Sequence, residues 1–404
     1  MKARANNRDA MKHENRRHVL SIIGRRSVSR IELAKETRLS QAAITEITSE
    51  LLSEGIVIET GKQNDSAAPG RKPISLDLNA AWGTVLGINI EREYYEIGLL
   101  NIGGGFITDV IRLDADQSPE AALDSMTAAA NSLLADNGAD RSRIIGLGVI
   151  APGPVDASDG VILNPINFDA WHGYRLKEAM ESRFPYRVYV QHNATAFIYM
   201  ENLLNNVSRH ENFALFAIND GIGFGLVLNG QVYTGARNIN CEIAHTSVNA
   251  NGRLCACGNL GCLEAYASIR AVMHDIQRVK KDVADWRCFI DLAHRNDPLC
   301  IKLLDQQAGY LAHSIINLNN MLELDAVVIT GQGAYRGELL LEFIRKHVDG
   351  RVQPNRSPLV IENSGISENI GVTAAGTIVI DQLFNKDLYA EITLERRANK
   401  EQCL

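Results

Sequence analysis

The most specific chemical signal in the sequence is one histidine followed by three closely spaced cysteines. The four residues are His245, Cys255, Cys257 and Cys262, and two glycines lie among the cysteines. Three thiolates and one imidazole match the tetrahedral ligand set of zinc, and the glycines allow the tight turn that brings sulfur atoms together. Because four protein ligands leave no position for water, we predict a structural Zn²⁺ ion at this site.

Two other interpretations of the cysteines stay open, namely unrelated buried thiols and a redox centre. The sequence contains no Cys-x-x-Cys pair of the kind that redox proteins use. The total of seven cysteines is odd, and three of them fall within residues 255–262. This distribution favours a metal site in a reducing compartment over a framework of disulfide bonds.

Length and composition indicate a globular protein with two or three packed units. A chain of 404 residues exceeds one ordinary core, and 46% hydrophobic with 22% charged residues is typical of folded proteins. No apolar run approaches the roughly 20 residues of a membrane span, and the basic N-terminus lacks the apolar segment of a secretory signal. We therefore expect a cytoplasmic protein.

Charge is distributed unevenly along the chain. Residues 1–73 contain 14 Lys and Arg against 9 Asp and Glu, a net charge of +5, whereas residues 74–404 contain 27 against 39, a net charge of −12. A basic segment on an acidic body indicates that only this segment contacts a polyanion such as DNA. A solvated basic arm would have the same charges, so the motifs must separate the two interpretations.

The basic segment has the pattern of a winged helix-turn-helix. Ser29 opens a capping box at the start of one helix, and Ser40 caps a second helix after the short turn 37–39. Residues 56–59 and 74–78 then predict two strands joined by a polar loop, which would form the wing. An ordinary three-helix domain is the alternative.

The second helix of the pair and the wing supply the candidate DNA contacts. Small polar residues near the helix N-terminus would be exposed and could reach base edges in a major groove: Gln41, Ala42, Thr45, Thr48 and Ser49. Arg71 and Lys72 lie in the loop of the wing between prolines, and two cations on a narrow ribbon suit a minor groove. A solvated loop is the alternative for this segment.

The rest of the chain predicts an α/β fold. Apolar strands at 85–90, 144–150, 186–190 and 213–218 alternate with helical stretches. Polar and glycine-rich clusters follow these strands, and ligands of open α/β sheets lie beyond the carboxyl ends of strands. We divide the chain into a DNA-binding head (1–80), a first lobe (81–192, completed by 370–404) and a second lobe with the zinc loop (193–369).

Together these motifs resemble the ROK family of bacterial repressors and sugar kinases. The resemblance is carried by the segments Cys255–Glu264, Glu242–His245 and Ala151–Pro154 and, for the repressor branch, by Gly70–Pro73. It implies an actin-like, two-lobed fold of the sugar-kinase type behind the winged helix. It also implies a homodimer or homotetramer and a sugar or sugar phosphate as the effector.

The resemblance further implies which residues hold the sugar. They are Asn167, Asn193, Glu242, His245 and Glu264. The chemistry agrees, because a carboxylate accepts hydrogen bonds from two hydroxyl groups and a zinc-bound imidazole has a second ring nitrogen free. The match at Asn167 rests on its spacing from Trp171, since the residues between them depart from the family pattern.

Two departures from the kinases of the family argue against catalysis. The segment Asn89–Arg92 stands where the kinases have a glycine-rich run around the ATP phosphates, and Asn193 stands where they have a proton-accepting aspartate. An amide cannot accept the proton of a sugar hydroxyl. We therefore predict a sugar-responsive transcriptional repressor that binds operator DNA and is not an enzyme. An ATP-dependent sugar kinase with an appended regulatory head is the alternative, and a zinc-responsive regulator is a third hypothesis.

Overall fold

The structure is a computed structural model of the chain. It describes residues 2–62, 74–116, 118–204, 210–235, 241–351 and 358–402, with the backbone alone for 2–10, 62 and 397–402. The predicted wing cations Arg71 and Lys72 lie outside the described residues. Among the residues described, no helix combines the length and the apolar character needed to span a bilayer.

Helices and strands are numbered along the whole chain. The α-helices are α1 (Lys2–Arg25), α2 (Arg30–Thr37), α3 (Gln41–Ser53), α4 (Pro119–Asp136), α5 (Leu176–Glu181), α6 (Asn193–Leu204), α7 (Glu264–Ala267), α8 (Ile269–Gln277), α9 (Trp286–His294), α10 (Pro298–Leu322), α11 (Glu338–Val348), α12 (Ile370–Asn385) and α13 (Leu388–Gln402). The strands are β1 (Val28–Ser29), β2 (Val57–Lys62), β3 (Ile74–Leu78), β4 (Thr84–Ile90), β5 (Tyr94–Asn101), β6 (Ile111–Asp114), β7 (Ile144–Ala151), β8 (Val155–Asp156), β9 (Val161–Ile162), β10 (Val188–His192), β11 (Phe213–Ile218), β12 (Ile222–Leu228), β13 (Gln231–Val232), β14 (Ala326–Thr330) and β15 (Val360–Asn363).

The head is a winged helix-turn-helix, as predicted. Helices α1, α2 and α3 pack together, and a three-stranded sheet in the order β1-β3-β2 completes the head. The capping box of α2 is present, because the Ser29 hydroxyl accepts the Glu32 N–H and the Glu32 carboxylate accepts the Ser29 N–H. Arg38 ends α2 in the left-handed conformation, and Ser40 caps α3. Strand β1 has no sequence signal of its own, because it is only Val28 and Ser29 pairing with β3.

The chain forms two compact units. The first contains Met1–Val149, Glu178–Tyr189 and Ala375–Leu404, and the second contains Ile150–Lys177 and Val190–Ala374. The segment Ile150–Lys177 therefore belongs with the second unit, whereas the sequence-based division assigns it to the first lobe. All five residues of the predicted sugar site, as well as the predicted zinc ligands, lie in the second unit.

Each unit contains one five-stranded sheet. The sheet of the first unit has the order β10-β7-β4-β5-β6, and that of the second has the order β13-β12-β11-β14-β15. In the second sheet β11, β14 and β15 run parallel; every residue of β11 and β14 is buried, whereas in the edge strand β15 only Ile361 is. Such unbroken apolar strands are expected where both faces of a sheet are covered.

A buried polar interface fixes the head to the C-terminal helices within the first unit. The Arg16 guanidinium of α1 donates to the Tyr389 hydroxyl of α13 at 2.7 Å, and both groups hydrogen-bond the Glu54 carboxylate just after α3. Ser21 Oγ also donates to Asn385 Oδ1 of α12 at 3.0 Å. Because buried polar groups must keep their partners, this interface ties α1 and α3 to the position of α12 and α13.

Candidate functional site

The histidine and the three cysteines come together in the second unit. His245 ends a short 3₁₀ helix (Ile243–His245), and the cysteines lie on the loop before α7. One ligand atom from each of the four residues lies within 4.8 Å of the others. His245 Nδ1 is 3.6 Å from Cys255 Sγ, and Cys257 Sγ is 3.7 Å from Cys262 Sγ. One imidazole nitrogen and three sulfurs at this spacing fit a single tetrahedral cation.

The loop that carries the cysteines is a tight hairpin of the main chain. Residues of helices α7 and α8 anchor it. The Gly261 N–H donates to the Arg253 carbonyl at 2.7 Å and closes the hairpin. The Arg253 N–H donates to the Tyr266 hydroxyl at 2.7 Å, and the Arg253 guanidinium donates to the Asp275 carboxylate at 2.7 Å. Arg253 therefore anchors the loop by both its main chain and its side chain.

The three cysteines differ in exposure. Cys255 and Cys262 are buried, whereas Cys257 is exposed. Burial raises the pKa of the Cys262 thiol to about 12 and also raises the pKa of Cys255. A thiol with a raised pKa is a poor nucleophile, but a bound metal cation removes its proton outright. The pKa of the exposed Cys257 is lowered instead, because hydrogen bonds to its sulfur outweigh the opposing effect of desolvation, and a lowered pKa favours the thiolate that binds a metal cation.

We predict that Gly261→Ala disrupts this loop much more than Gly258→Ala does. Both glycines have positive φ, 71° and 88°, where any other residue costs about 1–2 kcal/mol. A Cβ atom at Gly261 would also overlap the carbonyl oxygen of Asn249, whereas no atom lies within 4 Å of one at Gly258. Urea unfolding and metal content would measure the difference. Equal losses in the two variants would contradict the prediction.

Two carboxylates flank His245. Glu242 immediately precedes the 3₁₀ helix that His245 ends, and Glu264 begins α7. Burial of its carboxyl group raises the pKa of Glu242. The interaction with His245 lowers this pKa, and the negative charge of Glu264 raises it further. Because His245 directs Nδ1 toward a sulfur, Nε2 lies on the opposite side of the ring. The arrangement provides two carboxylates and one imidazole nitrogen that can bind hydroxyl groups.

The Glu264 carboxylate is held against the start of β12. Its Oε2 accepts the Ile222 N–H at 3.3 Å, and its Oε1 lies 3.6 Å from Arg270 Nη2. Gly221 makes room for it, since a Cβ there would lie 2.7 Å from Oε2. Sequence analysis did not identify Arg270 because a single arginine at the start of a helix has no distinguishing pattern.

Asn193 and Asn167, the two asparagines predicted to bind the sugar, differ in their position relative to these carboxylates. Asn193 begins α6, and the next residue, Ala194, packs against Gly223 of β12, close to the N–H that Glu264 accepts. Strand β12 thus brings Asn193 and Glu264 into one region. Asn167 is exposed in the loop after β9 with φ 57°. Among the described residues, no hydrogen bond joins Asn167 to the other four.

A compact hairpin contains residues 89–92, the segment that was predicted to stand in place of the kinases' glycine-rich run. Asn89 near the end of β4 is 2% exposed, and its Nδ2 donates to Glu96 Oε2 of β5 at 2.9 Å. The Glu91 N–H donates to the Tyr94 carbonyl at 2.9 Å and closes the turn. Phosphate cradles need several backbone N–H groups that converge on one point. In this turn the Glu91 N–H is bonded to a carbonyl of the same hairpin, and the Glu91 side chain adds a negative charge.

Helix α3 exposes most of the residues predicted to contact DNA. Gln41, Ala42, Thr45 and Ser49 are exposed. The exposure predicted for Thr48 is wrong, because this residue is 0% exposed and its hydroxyl donates to the carbonyl one turn earlier at 2.8 Å while accepting from an arginine of α2 at 3.1 Å. Residues 44 and 48 are one helical turn apart, so Thr48 shares the buried face of Ile44.

Sequence analysis missed two cations next to the start of α3. Lys35 in the last turn of α2 and Arg38 at its C-terminal end are exposed and make no ion pair or hydrogen bond with any described residue. Two other arginines of the head are paired, Arg26 with Glu36 at 2.5 Å and Arg30 with Glu59 at 2.9 Å. The position of Arg38 in the turn before α3 is the sequence signal that could have identified it.

Comparison with known proteins identifies the family. Residues 85–382 match the ROK family. The chain belongs to the ROK family. This result and the observed elements confirm the predicted fold class, a winged helix-turn-helix followed by an actin-like fold of the sugar-kinase type. Of the segments that resemble the family in sequence, 242–245 and 255–264 contain the four residues of the His245 cluster, whereas 70–73 lie outside the described residues.

ROK proteins similar to this chain include repressors and kinases. A xylose repressor from Bacillus subtilis is 27% identical over 360 residues, which cover 89% of this chain and 92% of the relative. A glucokinase from Thermotoga maritima is 24% identical, and the match covers 98% of that enzyme but 74% of this chain. The crystal structure of a ROK family transcriptional regulator, a homolog of the E. coli MLC protein, aligns with a TM-score of 0.79 at 23% identity, covering 95% of this chain and 99% of that one.

Proposed function

We propose that the protein is a transcriptional repressor that binds operator DNA through its winged helix and responds to a sugar bound by its ROK body. One observation carries the proposal: the chain joins an exposed recognition helix to a sugar-type site in which an amide, Asn193, replaces the proton acceptor of the kinases. The xylose repressor matches 89% of this chain, whereas the glucokinase matches 74%. This difference supports the repressor assignment.

The sugar is bound without being phosphorylated. Glu242 and Glu264 accept hydrogen bonds from sugar hydroxyls, and Asn167, Asn193 and His245 donate or accept the others. The absence of a general base at Asn193 and the closed turn after Asn89 together remove what phosphoryl transfer requires. The effector is therefore a free sugar or a sugar phosphate that binds and dissociates without being chemically changed.

A zinc ion held by His245 and the three cysteines has a structural role in this proposal. The four ligands complete a tetrahedral site and leave no position for a substrate or water. The ion would fix the hairpin that carries the cysteine ligands, which lies between Glu242 and Glu264 in the chain. It would also orient the His245 ring through Nδ1. A zinc-responsive regulator is disfavoured, because three thiolates bind zinc too tightly for exchange to serve as a signal.

The DNA contacts are divided between α3, the turn before it and the wing. Gln41, Ala42 and Thr45 contact base edges in the major groove, and Arg38 contacts a phosphate beside it. Arg71 and Lys72 of the wing contact the minor groove. Thr48 is not part of this surface because it is buried.

Operator recognition uses a homodimer or homotetramer in the cytoplasm, so that two heads contact two half-sites. Sugar binding favours a conformation in which the paired heads no longer match the spacing of these half-sites. A roughly 100-fold loss of operator affinity requires that the sugar prefer the released conformation by about 2.8 kcal/mol. A few hydroxyl hydrogen bonds are sufficient for this difference.

The proposal is tested with the purified full-length protein and its own upstream region as the operator. Fluorescence anisotropy would measure binding of the labelled duplex while D-xylose, D-glucose and their phosphates are added in turn. Release of the operator by one of them is the expected result. A coupled assay for ATP consumption on the same sugars tests the kinase alternative, and turnover at ordinary enzymatic rates would refute the proposal.

We expect Arg38→Ala to weaken operator binding by about 10-fold and to reduce the slope of log K against log salt by about 0.9, the value of one lost phosphate contact. Arg26→Ala is the matched control, because its guanidinium is already paired with Glu36. The measurement is anisotropy at several salt concentrations. Equal effects of the two substitutions would show that Arg38 is not a specific contact.

A further inference from the structure

The recognition helix α3 ends at a residue that three other segments of the first unit contact. Glu54 caps the C-terminus of α3. Its carboxylate accepts hydrogen bonds from the Arg16 guanidinium of α1 and the Tyr389 hydroxyl of α13, and its main-chain carbonyl accepts the Trp82 Nε1–H at 3.1 Å. Arg16 also donates to the Tyr389 hydroxyl at 2.7 Å. These four residues, Arg16, Glu54, Trp82 and Tyr389, are called the clasp below.

Aromatic contacts add to the hydrogen bonds of the clasp. The ring centroids of Trp82 and Tyr389 lie 5.8 Å apart, and the Arg16 guanidinium carbon lies 4.8 Å from the centroid of the Tyr389 ring. The Arg396 guanidinium of α13 lies 4.1 Å from the Trp82 ring. Trp82 belongs to the 3₁₀ helix Ala80–Trp82, through which the chain leaves the head after β3. Helix α13 therefore contacts both the end of α3 and the exit of the chain from the head.

Burial makes the clasp rigid. The Arg16 and Glu54 side chains are 16% and 12% exposed, and Tyr389 is 6% exposed. Hydrogen bonds to ionised groups are roughly twice as strong as those between neutral groups, and a buried charge that loses its partner is strongly destabilising. Burial and the hydrogen bond to Glu54 raise the pKa of the Tyr389 hydroxyl, so it remains a donor at neutral pH. The end of α3 thus has one stable position relative to α13.

A second contact fixes the direction of α1. A Cβ atom at Gly24 would lie 2.7 Å from the Phe384 ring, so α1 and α12 meet there with no side chain of α1 between them. Three residues earlier, Ser21 Oγ donates to Asn385 Oδ1 at 3.0 Å. Arg16 and Gly24 are about 12 Å apart along α1. Contacts at two such points prevent α1 from tilting against the C-terminal helices.

We propose that the clasp is a positioning element for operator recognition, which holds each head in the orientation that sets the accepted spacing of two half-sites. The inference rests on the proposed function, in which paired heads bind one operator. Glu54 lies at the opposite end of α3 from Gln41, about 20 Å along the helix axis. The clasp therefore acts through the orientation of α3 and does not itself contact bases.

Rigid attachment of the head matters because DNA is a helix. Half-sites of helix-turn-helix dimers lie about one turn of DNA apart, and one inserted base pair moves a half-site by about 3.4 Å and rotates it by about 35°. A head that cannot tilt loses contact with the displaced half-site. A loosely attached head can follow it, but it loses more conformational freedom on binding. Loosening the clasp should therefore weaken operator binding and also weaken the discrimination between spacings.

The test uses the full-length variant Tyr389→Phe, which removes the hydroxyl of the clasp and keeps the ring. Anisotropy measures binding to the operator, to the operator with one base pair inserted between its half-sites, and to a single half-site. We expect the insertion to cost the wild-type protein roughly 30-fold in affinity but the variant less than about 5-fold. The variant should bind the operator about 10-fold more weakly than wild type and the single half-site equally well.

Two further variants make the test specific. Glu54→Gln removes the charge on the α3 side of the clasp with little change in size, and it should show the same pattern as Tyr389→Phe. Tyr335→Phe is the matched control, because it removes a tyrosine hydroxyl in the second unit, where the ring contacts Arg287. This control should keep the wild-type affinity for all three duplexes.

The outcomes separate positioning from stability. A wild-type insertion penalty in both clasp variants would overturn the inference. Equal losses on the operator and on the single half-site would also overturn it, because they would show that the clasp only stabilises the fold of the head. Wild-type protein that scatters light as a monomer, or that binds the operator no more tightly than one half-site, would instead refute the paired heads of the proposed function.

Discussion

Glu242→Gln is expected to leave operator binding intact while raising the sugar concentration needed for release roughly 10- to 100-fold, because a hydrogen bond to a charged group contributes about 1.5–3 kcal/mol. The carboxylate can accept two hydroxyl groups, whereas the amide accepts with one atom and must donate with the other. The variant keeps the size of the side chain. A sugar titration of the operator complex, followed by anisotropy, measures the effect.

Glu342→Gln is the control for this prediction. It makes the same chemical change at an exposed position of α11, away from His245 and both carboxylates. Its sugar response should equal that of the wild-type protein. A Glu242→Gln variant with a normal sugar response would remove Glu242 from the site and with it the strongest reason to place the sugar next to His245.

Loss of a zinc ligand is expected to have the second large effect. Cys257→Ser should abolish zinc binding and lower the melting temperature, because a loss of ~4 kcal/mol corresponds to roughly 8–16 °C for a unit of this size. Cys257 is exposed, so serine at this position leaves the packing unchanged and the effect reports the metal. Elemental analysis gives the zinc content, and thermal unfolding gives the stability.

Two further variants separate metal binding from packing. Cys262→Ser should lose zinc as well, but it also places a hydroxyl in a fully buried position and should be less stable than Cys257→Ser. Cys288→Ser changes a half-buried cysteine of α9 outside the cluster and should keep both zinc and stability. Full zinc content in Cys257→Ser would mean that the cluster is not the metal site.

The cluster of His245 with three cysteines and the winged helix were predictable because their signals are local. The three cysteines occupy eight consecutive residues, and a hairpin of this length has few ways to arrange them. The capping residues Ser29 and Ser40 act on N–H groups two or three positions away, so their effect does not depend on the rest of the fold. The same is true of Asn193, whose chemistry differs from that of an aspartate wherever it lies.

Other features follow from contacts between distant segments and were not predictable. The burial of Thr48 could have been inferred from its spacing of one turn from Ile44, but the arginine partner of its hydroxyl comes only from the packing of α3 against α2. The sequence shows that Arg38 lies in the turn before α3, but only the folded head shows that it has no acidic partner among the described residues while Arg26 and Arg30 have one. Pairing of this kind depends on where helices and strands meet, and no spacing along the chain encodes it.

The sequence by itself determined the grouping of three cysteines near His245, the winged helix and the presence of an amide at position 193, since residue type and short spacing carry each of them. Only the tertiary structure decided that the charges of Glu242 and Glu264 interact, that the head is held by Tyr389, and that Lys12 of α1 pairs with Glu46 of α3. The physical reason is that these contacts join segments separated by tens to hundreds of residues. Their geometry is set by the packing of whole helices and strands, and the residues concerned look alike before the chain folds.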